Sequence, residues 1–187
     1  MELFPIPIHS EKLNLNVKAM TRYCLALKKK IPSAERIRSL HGGWQSPHLT
    51  GEHSPLDDLF KAILRVGEQY RKRIAYKDPL KLMAVWININ GEKAYNIEHV
   101  HPHAVASGAF YLKTNNSNIV FLHPSSHFME YDWKPCMLKE YNIYNSATWN
   151  IQPDQNELLM FPGWLKHRVD PNLGKGDRIS ISFNLGR

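Results

Sequence analysis

The sequence has few cysteines, no long apolar run and no recognisable leader. Its two cysteines, Cys24 and Cys136, are too few for a disulfide framework, and neither lies in a Cys-x-x-Cys pair that would suit a thiolate zinc site. No apolar segment reaches the length of a membrane-spanning helix. The first residues lack the basic and apolar regions of a secretory signal. We therefore expect a cytoplasmic protein without a membrane partner.

Internal repeats, low-complexity tracts and Gly/Ser-rich linkers are also missing. Nothing therefore divides the chain, and residues 1–187 are predicted to form one domain. A chain of this length buries a sizeable core. Charged residues make up 22% of it, which is too few for a disordered protein.

Much of the net charge of +7 lies in two basic runs, at residues 28–30 and 71–73. A basic surface attracts anions, including nucleic acids and acidic proteins. Cations are also favoured at the carboxyl ends of helices, which is the simpler explanation of both runs. Because no zinc finger, RNA-binding aromatic motif or recognition-helix pattern accompanies them, we do not expect nucleic acid to be the partner.

The first part of the chain, residues 12–78, is predicted to be a helical support. Val17 and Cys24 belong to an apolar stripe at helical spacing. A second helix is predicted to begin at Pro55 with Ser54 as its N-cap, followed by two aspartates in its first turn, where carboxylates are favoured.

Residues 80–187 have the pattern of a β-structure. Short segments rich in β-branched and aromatic residues alternate with breaks that contain Asn, Asp, Pro and Gly. The predicted strands are residues 82–87, 105–113, 119–122, 146–151, 157–161, 166–170 and 178–184. This spacing favours an antiparallel sandwich or barrel, with the helices covering one outer face.

The last predicted strand indicates which face lines the interior. Arg178, Ser180 and Ser182 share one face and three apolar residues share the other, because strand side chains alternate. If the apolar face packs on helices outside the sheet, the polar face points inward. A barrel with polar groups inside contains a pocket.

Three histidines are candidate metal ligands. His99 and His101 lie two residues apart, so both rings project to the same side of an extended strand. His167, on a distant strand, can complete one face of an octahedron. The usual mononuclear non-haem iron site has two histidines and a carboxylate. His101 stands in the carboxylate's place, since Glu98 points the other way.

The ligand types alone do not identify the metal, because imidazole also binds zinc, copper and nickel. Five other histidines are interpreted as surface or packing residues. They are His41, His48, His53, His123 and His127.

Arg178 is the candidate anion-binding residue. It follows His167 after a turn around Gly174, so we expect it on an adjacent antiparallel strand that enters the same interior. A guanidinium group can hold a carboxylate with two parallel hydrogen bonds. Ser180 on the same face and Tyr111 on a neighbouring strand can add hydroxyl donors.

Four parts of the chain together resemble the iron(II)- and 2-oxoglutarate-dependent oxygenases, above all small bacterial and phage members whose chains open with a Leu-Phe-Pro-type segment. The matching segments are residues 3–7 (LFPIP), 42–46 (GGWQS), 99–102 (HVHP) with 107–111 (SGAFY), and 161–167 (FPGWLKH) with 178–184 (RISISFN). The resemblance implies a mostly β, α+β fold. This is a prolyl-hydroxylase-like double-stranded β-helix, also called a jelly roll and cupin-like, with N-terminal helices packed on one outer face.

The same resemblance implies a dioxygenase that uses Fe(II), 2-oxoglutarate and O2. It would hydroxylate an unidentified peptide, prolyl or small-molecule substrate and release succinate and CO2. The implied metal ligands are His99, His101 and His167, and the implied contacts to the far carboxylate of 2-oxoglutarate are Arg178, Ser180 and Tyr111. The wider superfamily has Asp or Glu where His101 stands, so the second ligand is the departure in this chain.

Other readings remain open at this point. A cupin-like three-histidine metalloprotein that does not use 2-oxoglutarate would give Arg178 no carboxylate to hold, and a basic nucleic-acid module would bind without metal. A homodimer is also left open. Trp44 and Gln45 either line the substrate entrance or pack the helices onto the barrel. The candidate rim residues are Trp86, Asn88, Trp133 and Trp164.

Overall fold

The computed structural model describes residues 4–33, 39–51, 53–132 and 134–187. Within these residues, eleven strands numbered in chain order form two antiparallel sheets. The larger sheet has the spatial order β1 (His9–Lys12), β9 (Glu157–Pro162), β6 (Ala106–Lys113), β11 (Arg178–Gly186), β4 (Lys81–Asn90) and β3 (Trp44–Gln45). The smaller sheet has the order β2 (Leu40–His41), β5 (Tyr95–His99), β10 (His167–Val169), β7 (Ile119–Leu122) and β8 (Thr148–Ile151). This is the predicted double-stranded β-helix.

In the described parts of the chain, two long helices and one short helix accompany the sheets. They are α1 (Val17–Lys30), α2 (Asp57–Arg73) and α3 (Ser126–Asp132), with 3-10 turns at Ser54–Leu56 and Pro135–Met137. Both basic runs lie in the last turns of α1 and α2, as predicted from the helix dipole. No helix among the described residues has the length and apolar character needed to cross a membrane.

The predicted cap of the second long helix is wrong. Ser54 lies inside the 3-10 turn that precedes α2, and Leu56 occupies the N-cap position without a side-chain hydrogen bond. Pro55 explains why the α-helix begins later than predicted. Proline is favoured in the first turn of a helix, and here that first turn is the 3-10 turn that precedes α2. At α1 the cap is Asn16, whose side chain accepts a hydrogen bond from the Ala19 N–H at 3.1 Å.

The main core lies between the two long helices and the outer face of the larger sheet. Ile63 and Tyr70 of α2 are buried in the same apolar cluster as Ile181 and Phe183 of β11. Fully burying each such side chain stabilises the fold by about 1.5–3 kcal/mol. The odd-numbered residues of β11 thus face the helices, and its even-numbered residues are left for the interior, as the alternation predicts.

The helical assignment of residues 12–78 is wrong for two pairs of residues. Leu40–His41 and Trp44–Gln45 are two-residue edge strands that pair with β5 and β4 respectively. Their conformation is fixed by hydrogen bonds to strands far along the chain, so a local hydrophobic period carries no sign of them.

Candidate active site

A cavity of about 640 Å³ is lined by side chains of both sheets. His99, His167 and Val169 come from the smaller sheet, and Arg178 and Tyr111 come from the larger one. The interior therefore contains the polar pocket predicted from the last strand. Among the described residues that line it, none is Asp, Glu or Lys.

The three candidate histidines meet in this cavity. Their ligand-capable nitrogen atoms all lie within 4.8 Å of one another, and the Nε2 atoms of His101 and His167 are 3.4 Å apart. Such a cluster of imidazoles has the size of a site that binds one metal ion.

The backbone that presents these rings differs from the prediction that His99 and His101 share one strand. His99 is the last residue of β5 and lies opposite His167, the first residue of β10. His101 lies beyond the strand, where its N–H donates to the carbonyl of Gly163 at 2.8 Å. This bond to a distant loop, not strand alternation, directs the second ring.

Two of the imidazoles have a defined tautomer. His99 Nδ1 lies 2.7 Å from the Ile97 carbonyl oxygen and His167 Nδ1 lies 2.9 Å from that of Leu165. A carbonyl oxygen only accepts hydrogen bonds, so each Nδ1 carries the proton and each Nε2 keeps its lone pair. Metal-binding histidines are commonly oriented in this way by their second nitrogen.

Burial keeps these imidazoles neutral. It lowers the pKa of His99, and it lowers the pKa of His101 to about 4 and that of His167 to about 3, with the neighbouring histidines adding to the last two shifts. Neutral imidazole is the form that binds a metal. Glu98 takes no part, since it faces Arg168 at 3.5 Å on the outside.

Arg178 and Tyr111 form a second polar group deeper in the cavity. Arg178 is 3% exposed and Tyr111 is fully buried, and the guanidinium carbon lies 5.5 Å from the tyrosine ring centroid. In the described part of the chain, Arg178 Nε and the Tyr111 hydroxyl have no hydrogen-bond partner. Burial lowers the pKa of Arg178 and raises the pKa of Tyr111.

A buried guanidinium without a counter-ion is destabilising, because it loses hydration and gains no anion. Ser180 is also buried and lies opposite Tyr111 on the neighbouring strand. Arg178, Tyr111 and Ser180 thus offer donors on one patch of the cavity wall. The arrangement fits a carboxylate supplied by a ligand.

The expectation that Arg178 lies on the strand next to His167 is wrong. β11 pairs with β4 and β6 in the larger sheet, whereas β10 pairs with β5 and β7 in the smaller one. The connection between them crosses from one sheet to the other. The arginine and the histidine therefore approach each other across the cavity.

Trp44 and Gln45 have one role each. Trp44 is 4% exposed and its Nε1–H donates to the Ile31 carbonyl at 2.8 Å, which packs the end of α1 against the larger sheet. Gln45 points the opposite way and lines the cavity.

Of the predicted rim residues, Trp86 and Asn88 line the cavity. Trp164 is 57% exposed and is not among the described lining residues. Trp133 lies outside the described residues.

His48, which the sequence predicts to be a surface or packing residue, lies at the cavity rim. Its ring centroid lies 6.0 Å from that of Trp86, which in turn lies 5.7 Å from His101. No signal in the sequence distinguishes it from the other scattered histidines. Ser182 and Asn184 also line the cavity, and the alternation along β11 does indicate these two.

Comparisons with known proteins agree with this geometry. Residues 84–184, just over half of the chain, match the family described as "Putative 2OG-Fe(II) oxygenase". No curated protein matches the chain in sequence.

Several solved structures share the fold. A prolyl-4-hydroxylase from Pseudomonas putida superposes with a TM-score of 0.69 at 12% identity, covering 97% of this chain and 93% of that one. HygX from Streptomyces hygroscopicus, with nickel and 2-oxoglutarate bound, gives 0.68 at 11% identity, covering 97% and 82%. The viral collagen prolyl hydroxylase of Paramecium bursaria Chlorella virus-1, in a 2-oxoglutarate complex, gives 0.60 at 15% identity, covering 95% and 94%.

The cupin-like alternative without 2-oxoglutarate gives the buried Arg178 nothing to bind, and the family match does not favour it. Together, the cluster of neutral imidazoles, the buried arginine without a carboxylate partner among the described residues and the family match show that this chain belongs to the iron(II)- and 2-oxoglutarate-dependent oxygenases.

Proposed function

We propose that this protein binds Fe(II) through His99, His101 and His167 and binds the far carboxylate of 2-oxoglutarate through Arg178. The observation that carries the proposal is the convergence in one cavity of three imidazoles and a buried guanidinium that has no carboxylate partner among the described residues. The histidines would hold the metal by their Nε2 atoms where Nδ1 is already bonded to a carbonyl. When bound, the iron would activate oxygen, which amino-acid side chains alone do not do.

The charges of the site favour a dianionic co-substrate. Three neutral imidazoles leave the +2 charge of a ferrous ion uncompensated, and Arg178 adds a further positive charge deeper in the cavity. One molecule with a carboxylate near each end balances both of these positive charges. Arg178 would donate the bidentate pair of hydrogen bonds, while the Tyr111 and Ser180 hydroxyls would donate to the same carboxylate.

The reaction that this arrangement serves is hydroxylation. One oxygen atom of O2 enters a C–H bond of the substrate as a hydroxyl group, and the other enters 2-oxoglutarate, which loses CO2 and becomes succinate. Arg178 and Tyr111 would position the co-substrate within the cavity. We propose a peptide, prolyl or small-molecule prime substrate.

The test separates metal binding from co-substrate binding. Iron-loaded wild type should bind 2-oxoglutarate and convert it slowly to succinate without a prime substrate. Arg178→Ala should bind 2-oxoglutarate with an affinity lower by about 100-fold or more, since a buried charge-assisted pair is removed. The same variant should still bind one metal ion. Calorimetry measures both affinities.

A conservative variant guards against misfolding of the alanine variant. Arg178→Lys keeps the charge but not the planar fork, so it should retain a weakened affinity for 2-oxoglutarate. If metal-loaded wild type binds no 2-oxoglutarate and produces no succinate, the proposed function is wrong.

We also propose a cytoplasmic location. Both cysteines are free, which suits a reducing compartment. A homodimer stays a prediction, and a mass measurement in solution would test it.

A further inference from the structure

Asn88 is a third buried polar group without a full set of partners in the cavity. It is 6% exposed, and its Nδ2 donates to the Ser182 hydroxyl at 2.9 Å, while its Oδ1 has no hydrogen-bond partner in the described part of the chain. Leaving a buried acceptor unpaired is costly, and such groups in native proteins generally meet a ligand or an ordered water. Arg178 and Tyr111 are accounted for by the co-substrate, and Asn88 is not.

The hydrogen bond to Ser182 indicates which way the Asn88 carboxamide leans. Asn88 lies directly opposite Ser180, but it bonds to the next inward-facing residue of β11, on the side away from Arg178. Ser182 lies opposite Trp86, and the Trp86 ring contacts His101. The carboxamide therefore belongs to the part of the cavity near the histidines, beyond the carboxylate-binding end.

Gln45 brings a second carboxamide to the same place. It pairs with Asn88 across β3 and β4, so their side chains share one face about 5 Å apart at the Cβ atoms. Within the described residues the Gln45 side chain makes no hydrogen bond, and it lines the cavity. The burial of Trp44 on the opposite face holds this short edge strand in place.

We propose that Asn88 and Gln45 form a subsite for the prime substrate that binds an uncharged amide, such as an internal residue of a peptide. The proposal rests on the function proposed above. A secondary amide needs an acceptor for its N–H and a donor for its carbonyl. Asn88 Oδ1 is the free acceptor, and the Gln45 amide supplies the donor.

The charge of the lining excludes a free amino acid. Its ammonium group would need a carboxylate, and the described lining residues include none. An ammonium ion that loses its hydration without a counter-charge is strongly disfavoured. When both ends of the amino acid are blocked as amides, the ligand has no ammonium group and needs no carboxylate to balance it.

A nucleobase is the less favoured occupant. A base held between two rings needs a gap of about 7 Å, twice the contact distance of carbon atoms. The rings of His48, Trp86 and His101 form a row with centroid distances of 6.0 and 5.7 Å and tilts of 35° and 38°, so they contact each other and leave no such gap.

Nickel-loaded full-length protein saturated with 2-oxoglutarate tests the proposal, because it binds without turnover. The probes are a panel of N-acetyl amino acid N-methylamides, the matching free amino acids and uridine, followed by saturation-transfer NMR and calorimetry. We expect members of the blocked panel to bind and the free amino acids not to. Asn88→Leu and Gln45→Leu should each weaken the blocked amides about ten-fold, the effect of one lost hydrogen bond.

Two controls make the result specific. Asn150→Leu, an exposed position on β8 outside the described cavity lining, should leave amide binding unchanged. Affinity for 2-oxoglutarate, measured on each variant, shows that its pocket is intact. If Asn88→Leu does not fold, the binding of blocked amides by Gln45→Leu is the deciding measurement. Gln45 lies on an edge strand, which tolerates the substitution.

The outcomes distinguish the two proposals. Failure of wild type to bind 2-oxoglutarate overturns the proposed function. When 2-oxoglutarate binds normally, three results would overturn the subsite alone. These are that no blocked amide binds, that the two variants bind the blocked amides as wild type does, or that uridine binds instead and its binding depends on Asn88. Loss of 2-oxoglutarate binding in Asn88→Leu also overturns it, since Asn88 then belongs to the co-substrate.

Discussion

At the scale of single residues, the site depends on burial and on hydrogen bonds that keep its polar groups in a defined protonation state. His167 shows how this is done, since its ring is 3% exposed and its Nδ1 proton is bonded to the Leu165 carbonyl. Burial disfavours the imidazolium form, and the bond directs the remaining lone pair into the cavity. The same burial would strengthen the binding of a carboxylate to Arg178, because little water competes for the guanidinium.

This protonation state makes the stability of the metal-free protein depend on pH. In the unfolded chain each histidine has a pKa of about 6.5, whereas in the folded protein the pKa of His167 is about 3. Below pH 6.5 the unfolded state binds more protons, so the free energy of unfolding falls as the pH falls. At pH 5 the loss from His167 is about 2 kcal/mol relative to pH 7.

Urea unfolding at pH 7 and pH 5 measures this difference. His167→Asn, which does not titrate, should show a smaller decrease than wild type. Equal decreases in the two proteins would show that the buried ring does not stay neutral.

At the scale of elements, the loop after β9 determines where His101 lies. A Cβ added at Gly163 would lie 2.3 Å from the Ala104 carbonyl oxygen, and the Gly163 carbonyl accepts the His101 N–H. The two backbone segments that carry the candidate metal-binding rings can approach this closely only because Gly163 has no side chain.

Gly163→Ala should therefore displace the loop that carries His101. We expect a loss of about 2 kcal/mol in the free energy of unfolding, as is typical of backbone clashes, and a metal affinity at least about ten-fold weaker, the scale of a misplaced ligand. Calorimetric metal titration and thermal unfolding measure the two effects.

Gly91→Ala is the matched control for this substitution. The nearest atom to its added Cβ is Asp177 Oδ1 at 3.7 Å, an ordinary contact. It should change neither quantity appreciably, and similar losses in both variants would remove the special role of Gly163.

At the scale of the whole molecule, ligands of the cavity should stabilise both sheets together. The histidines belong to the smaller sheet and to the loop that follows β5, whereas Arg178 lies in the centre of the larger sheet. A metal with 2-oxoglutarate bound between them would link the two sheets. Binding to the folded state alone stabilises it by about 2.7 kcal/mol when the free ligand is 100 times its Kd.

Thermal unfolding with metal alone and with metal plus 2-oxoglutarate measures this linkage. Wild type should show two successive increases in Tm, whereas Arg178→Ala should show only the one due to the metal. A second increase in that variant would mean that the co-substrate does not depend on the arginine.

The sequence by itself determined the chemistry and the main alternations. The residue types that bind iron and a carboxylate, the inward face of Arg178 and Ser180, and the β-character of residues 80–187 all follow from local period and side-chain chemistry. Local rules apply to these features because a strand of nine residues such as β11 repeats its pattern often enough to be recognised.

Only the tertiary structure decided how these residues meet. It placed Arg178 and His167 on opposite sheets, turned His101 into the cavity through a bond to Gly163, and brought His48 to the rim. The two-residue strand Trp44–Gln45 exists because β4 is beside it, and its side chains take opposite roles for that reason. Contacts between residues far apart in the chain leave no local period, so they become visible only when the sheets have closed on each other.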